Sequence, residues 1–193
     1  DLPNETAYCE SCAGCGLAFW ADRMNRMRHD AACIDVAERV LTNNVLGAIE
    51  LSGENFFYQN PLAAEQKRYP WHGCPCCVGN IPRALLAIKD RIYATRADRT
   101  ALFVNHFVAG EATVPDLAHT AVRIVQETEY PWKGEVVLRL HPDTPAAFAV
   151  HLRIPDRGTS VLYAPAPDLA GRFTLVVNGE AQEAEVVRGY ARL

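Results

Sequence analysis

Three of the chain's seven cysteines fall in "WHGCPCCVGN", residues 71–80, as Cys74, Cys76 and Cys77. Three more, Cys9, Cys12 and Cys15, recur every third residue in "CESCAGCG", and Cys33 is the seventh. Four chemistries compete for such a set: a disulfide, a structural metal knot, a redox pair or a nucleophile. Adjacent thiols are poor disulfide partners, because neighbouring Cα atoms sit about 3.8 Å apart and a bridge wants more. Crowding into the first 77 residues argues for a site rather than a secreted disulfide scaffold. Soft thiolates favour zinc or an iron–sulfur cluster, and zinc wants four ligands in a tetrahedron. "CESCAGCG" begins like a bacterial ferredoxin run, but that run needs a fourth cysteine where Ala18 stands. Glu10 adds a carboxylate candidate. On a regular helix it faces away from Cys12, so joint ligation requires a helix end or an irregular backbone. Spacing alone prefers Cys9 with Cys12 and leaves the ligand set open.

The elements that must hold these groups come in two halves. "TAYCESCAGCGLAFWADRMNRM" carries Cys12, Leu17, Phe19, Trp20, Met24 and Met27 near helical spacing, with Asn4 or Thr6 as its cap. "DAACIDVAERVLTNNVLGAI" repeats the pattern, with Asp30 as N-cap and Gly47 near the end. "IELSGENFFYQNP" reads as a short hairpin about Ser52-Gly53, and "IPRALLAIKDRIYATR" as a third helix. After that the period changes. "TALFVNHFV", "AVRIVQETEY", "GEVVLRLHP", "AFAVHLRIP" and "RFTLVVNGEAQEAEV" are short strands between turns, with Asn178-Gly179 the strongest hairpin signal. Regularly spaced short strands predict an antiparallel sandwich. The boundary is expected near Arg96 to Thr100, giving a helical segment over 1–97 and a sandwich over 98–193.

Composition narrows the function. Of 193 residues 49% are hydrophobic and 22% charged, so a packed core is expected and disorder is not. A net charge of −4, with no Lys/Arg run, argues against nucleic acid. No apolar run is long enough to span a bilayer. The start, "DLPNETAYCE", has neither the basic nor the apolar region of a signal peptide. It also lacks an initiator Met, and the end stops within an apparent strand, so the chain is expected to be a fragment. Reduced thiols point to the cytoplasm. Oligomeric state leaves no signal.

Several runs resemble one family in order along most of the chain. "DLPNETAYCESCA", "FFYQNPL", "CPCCVGNIPR" and "QETEYPWKG" are similar to motifs of glycoside hydrolase family 127, the β-L-arabinofuranosidase-like family, and "LRIP" at 152–155 matches too. The likeness weakens after about residue 156, and Val78 stands where the motif usually has Pro. The resemblance implies the C-terminal part of an (α/α)6 barrel followed by an antiparallel β-sandwich, an α+β multidomain chain. It implies a retaining hydrolase of an oligosaccharide or glycoside, with a Zn2+-bound cysteine in place of one of the usual two carboxylates.

Carried over residue by residue, the resemblance makes Glu10, Cys12, Cys76 and Cys77 the zinc ligands and Cys76 the nucleophile. It makes Glu38 and Tyr58 contacts to substrate hydroxyls; unaided, Glu38 reads as a surface residue and Tyr58 as core. Cys74 belongs to the motif but not the ligand set, and Cys9, Cys15 and Cys33 read as packing. The family's acid/base glutamate lies upstream of D-L-P-N, ahead of residue 1, so the isolated chain is expected to be inactive. Two other readings compete: a non-catalytic zinc-stabilised carbohydrate-binding module, and a redox protein using Cys76 and Cys77.

Overall fold

The computed structural model describes residues 3–63, 65–155 and 172–193. Asp1 and Leu2 of the first motif lie outside them. The chain forms two compact units, one of residues 1–29 and 33–89, the other of 30–32 and 90–193.

The first unit is helical. Helix α1 runs Ser11–Arg28, α2 runs Ala31–Val40 and continues as a π-helical turn over Leu41–Leu46, and α3 runs Cys76–Leu86. The predicted first helix begins too early. Glu10 is its N-cap and is extended (φ −67°, ψ 134°), because its backbone bridges to Gln59 instead. The predicted apolar face holds only in part: Cys12 and Phe19 are half-buried and pack against the core. Leu17, Trp20 and Met27 are exposed, while Ser11, Gly14, Cys15, Ala18, Ala21, Asp22 and Asn25 are buried. Those buried positions follow i, i+3, i+4, i+7, so helical periodicity holds but small residues carry it. Close approach is the reason: a Cβ on Gly14 would lie 1.9 Å from Asn44 Oδ1 on the π turn.

Asp30 caps α2, accepting a hydrogen bond from the Ala32 N–H at 3.0 Å. Around Ser52-Gly53 the chain does turn, with Gly53 at φ 77°. Pairing there is reduced to single bridges, Ile49 with Phe56 and Phe56 with Tyr69. Helix α3 starts five residues before the predicted third helix, inside the cysteine cluster. It ends in a 3-10 turn at Ala87–Asp90, after which "YAT" forms strand β1, Tyr93–Thr95, the first strand of the second unit. The core of this unit joins Cys15, Ala18, Leu41, Val45, Phe56, Tyr58, Cys77, Ile81 and Ala84.

The second unit contains β2 (Ala101–Val104), β3 (Gly110–Leu117), β4 (Thr120–Thr128), β5 (Val136–Pro142), β6 (Ala149–Arg153), β7 (Leu175–Val177), β8 (Glu180–Gln182), β9 (Val186–Val187) and β10 (Tyr190–Arg192). The sheet orders among the described residues are β1-β2-β6-β10-β9, β3-β4-β5 and β7-β8. Every pair is antiparallel except β2 with β6, a departure from the predicted wholly antiparallel arrangement. Leu102, Val104 and Val150 of the first sheet pack with Leu117, Val122 and Ile124 of the second, burying about 1.5–3 kcal/mol of apolar transfer energy per side chain. Strand β3 went unpredicted because "GEATVPDL" is small, polar and interrupted by Pro115. Its register with β4 shifts there, as expected where proline removes a ladder donor. The β7–β8 hairpin turns at Asn178 (φ 52°) and Gly179 (φ 89°), the two positive dihedrals of a tight hairpin.

Candidate metal centre

Glu10, Cys12, Cys76 and Cys77 converge in the helical unit, with one donor atom from each lying within 4.8 Å of the other three. Two local devices bring them together. Because Glu10 precedes the first helical residue, its side chain is not bound to helical spacing and can meet that of Cys12. Ser11 between them is buried. Its N–H and Oγ donate to the carbonyls of Tyr58 and Phe57 at 2.9 and 2.6 Å, which pins Glu10 and Cys12 beside the Tyr58 segment. On the other side, Pro75 is the N-cap of α3, and Cys76 and Cys77 are its first two residues. A helix N-terminus favours negative charge, so it suits thiolates.

Three of the six donor-to-donor distances are close to the edges of a metal-centred tetrahedron, and the others lie within 4.8 Å. Cys76 Sγ lies 3.6 Å from Glu10 Oε1 and 3.9 Å from Cys77 Sγ, and Cys77 Sγ lies 3.9 Å from Glu10 Oε1. Zinc–sulfur bonds of about 2.3 Å and zinc–oxygen bonds of about 2.1 Å give tetrahedral sulfur–sulfur and sulfur–oxygen edges of about 3.8 Å and 3.6 Å. The donor set therefore fits a metal ion in both chemistry and size. Among the described residues, this is the one such cluster of His, Cys, Asp and Glu side chains.

The four differ electrostatically. Burial pushes the Cys76 thiol up, but hydrogen bonding from Cys12, Cys74, Cys77 and Tyr58 outweighs it, and the net shift is below the ordinary thiol value. Burial raises Cys77, and its hydrogen bond with Cys12 adds to this. Cys12 is also raised, by burial first, with a hydrogen bond from Asn80 pulling it back. Cys76 is thus the thiol most easily ionised.

Tyr58 stands over this group. Its hydroxyl lies 4.0 Å from Cys76 Sγ and accepts a hydrogen bond from the Tyr8 hydroxyl at 3.3 Å. That bond, then burial, holds its pKa above the usual phenol value, so it stays a hydrogen-bond donor. Glu38 sits half-buried on α2 and is not one of the four clustered donors. Cys9, Cys15, Cys33 and Cys74 are not among the four donors, although Cys74 hydrogen-bonds to Cys76, and none of the seven cysteines is in a disulfide. Two residues without a predicted role touch the site. His72 stacks on Tyr58, and Asn80 donates through Nδ2 to Cys12 Sγ at 3.1 Å. The signal for both was position: they flank the cysteines in "WHGCPCCVGN".

Two family models match this chain. One, described as the GH127 catalytic domain of β-L-arabinofuranosidase, covers residues 1–90, and the other, its GH127 middle domain, covers 101–193. The chain belongs to glycoside hydrolase family 127. A curated family relative, a non-reducing end β-L-arabinofuranosidase of Bifidobacterium longum subsp. longum, is 27% identical across the whole chain, which spans 30% of that protein. The crystal structure of a GH127 β-L-arabinofuranosidase from Geobacillus stearothermophilus T6 aligns over all of the chain and 30% of its own, at 34% identity and a TM-score of 0.85. A second GH127 β-arabinofuranosidase structure aligns at 31% identity and a TM-score of 0.86, over 31% of its length. The chain therefore spans about a third of the GH127 relatives it matches.

Proposed function

We propose that this segment supplies the nucleophile and the metal ligands of a retaining glycoside hydrolase that releases L-arabinofuranose, or a related sugar, from a glycoside. The carrying observation is the convergence of Glu10 with Cys12, Cys76 and Cys77 within 4.8 Å, with Cys76 the one thiol of the three shifted toward ionisation. Glu10, Cys12, Cys76 and Cys77 would hold Zn2+. When bound, the ion supplies positive charge that keeps the thiols deprotonated at neutral pH.

The chain's own groups then divide the work. Cys76 Sγ attacks the anomeric carbon and forms a carbon–sulfur bond as the glycosidic carbon–oxygen bond breaks. The leaving alcohol takes its proton from an acid outside these residues, which the family pattern places upstream of "DLPN". Water later displaces the thiolate and restores Cys76, so the sugar leaves with retained configuration. Tyr58, kept protonated, offers an O–H to a sugar oxygen beside Cys76. Glu38 is proposed as a second hydroxyl contact. The segment accordingly works as part of a polypeptide of family length, whose helical portion is proposed to complete an (α/α)6 barrel. The need for reduced thiols favours a cytoplasmic setting.

Mass spectrometry of the family-length protein, quenched during turnover of a nitrophenyl β-L-arabinofuranoside, tests this. The expected species carries one pentosyl unit on the peptide containing Cys76, and Cys76→Ser abolishes both adduct and turnover. A Cys76→Ser protein that still hydrolyses the glycoside at more than a tenth of the parent rate sinks the proposal.

A further inference from the structure

Asn80 closes the run "CPCCVGN" yet supplies none of the four donors. It lies one turn into α3, three residues past Cys77. Its Nδ2 donates to Cys12 Sγ at 3.1 Å, and its Oδ1 accepts from Arg83 Nη1 at 3.2 Å. The guanidinium thereby fixes which way the amide points. A flipped amide would set its oxygen against sulfur and its NH2 against a cation that can only donate. The Asn80 carbonyl also accepts from the Cys15 thiol, at 3.6 Å.

Among the described residues no amide N–H donates to Cys76: its hydrogen-bond donors are the thiols of Cys12, Cys74 and Cys77 and the Tyr58 hydroxyl, and metal binding would take the protons of the Cys12 and Cys77 thiols. The polar neighbours of Cys76 include the Glu10 carboxylate at 3.6 Å, Cys77 Sγ at 3.9 Å and the Tyr58 hydroxyl at 4.0 Å. A sulfur that accepts an N–H bond has part of its electron density drawn off. It binds an electrophile, whether metal or carbon, less strongly than a bare thiolate, and its lone pairs lie lower in energy. Outer hydrogen bonds of this kind orient a ligand and tune the metal it holds.

We propose that Asn80, oriented by Arg83, is a positioning residue that quiets the Cys12 sulfur, making Cys12 a fixed ligand and leaving the reactive electron pair to Cys76. This rests on the metal-thiolate reading given above. It extends that reading by explaining why Cys12, one of the three clustered thiols, holds rather than attacks.

The test uses the family-length protein loaded with Co2+ in place of Zn2+, because sulfur-to-cobalt charge transfer reports directly on thiolate electron density. Asn80→Ala and the isosteric Asn80→Asp should each move that absorption to longer wavelength, because the Cys12 lone pairs rise in energy once the N–H is gone. Arg83→Ala should shift the band in the same direction by less, and serves where an Asn80 variant does not fold. A merely structural role for Asn80 would lower the melting temperature and leave the band in place, and that result overturns the proposal. So does a band that moves equally for a distant surface substitution such as Arg123→Ala. If the parent protein takes up cobalt but cleaves no arabinofuranoside, the hydrolase reading fails while the band still decides the role of Asn80. If the parent binds neither cobalt nor zinc, both fall.

Discussion

Tyr58 and His72 stack face to face, their rings 3.9 Å apart and 17° from parallel. His72 is held in turn by the Tyr69 hydroxyl, 3.0 Å from Nδ1. The residue that stands over Cys76 is therefore clamped by a three-ring series, Tyr58, His72 and Tyr69, within one unit of the chain.

Removing the clamp should loosen Tyr58 without removing any metal ligand. We predict that His72→Ala in the family-length enzyme lowers kcat/KM about tenfold, chiefly through KM, with zinc content unchanged. His72→Phe, which keeps the stack but loses the Tyr69 bond, should recover most of it. Steady-state kinetics with metal analysis checks this, and a loss of zinc in His72→Ala would contradict it.

Gly14 is where α1 meets the π-helical turn. A methyl group there would reach 1.9 Å from Asn44 Oδ1 and 3.2 Å from Asn44 Cβ. Alanine is otherwise the better helix former by about 1 kcal/mol. Overpacking should win, so Gly14→Ala is expected to destabilise the fold by about 1–3 kcal/mol in denaturant titration. Gly16→Ala, where a Cβ meets nothing within 4 Å, is the matched control and should be neutral or stabilising.

Burial raises the Cys15 thiol to about 11, and the neighbouring Cys12 adds to this. A pKa higher in the folded than in the unfolded state means the native state holds its proton longer. That stability is fully present below pH 9 and is lost as pH rises through 11. Cys15→Ala should flatten the fall in stability over that window, as read from urea midpoints at pH 8, 9.5 and 11. An unchanged slope would count against this burial of the thiol.

The run "QETEYPWKG" finds its anchor in the sheet unit. Gln126 is 1% exposed on β4, and its Nε2 donates to the Val108 carbonyl at 2.8 Å and to the His106 carbonyl and the Tyr93 hydroxyl at 3.3 Å each. It ties β4 to the segment after β2 and to β1. Gln126→Leu takes that donor from the buried His106 carbonyl, which costs about 1–3 kcal/mol, while the Val108 carbonyl, at a 41% exposed residue, can turn to water. The expected result is a lower melting temperature with metal content intact, by calorimetry alongside metal analysis.

The two-part fold was legible because the apolar period changes from helical to strand-like along the chain. The grouping of Glu10, Cys12, Cys76 and Cys77 was legible only through the resemblance. Spacing on its own favoured Cys9 with Cys12, since nothing local announces that Glu10 stops short of the helix; its bridge to Gln59 does that, from 49 positions away. The buried face of α1 was misread in part for a similar reason. Large apolar residues attract attention, yet close packing selected the glycine and alanine stripe and left Trp20 59% exposed. Strand β3 was missed because its partner, not its composition, makes it a strand.

The two halves of the cluster, Glu10 and Cys76, stand 66 positions apart in sequence. Any ion gripped by both would act as a cross-link in the chain as well as a reagent. By loop-closure entropy, tying a loop of that length restricts the unfolded ensemble by about 4 kcal/mol, the scale of a native disulfide. Chelation would then do two things at once, silencing a thiolate and releasing a knot that keeps α1 and α3 together.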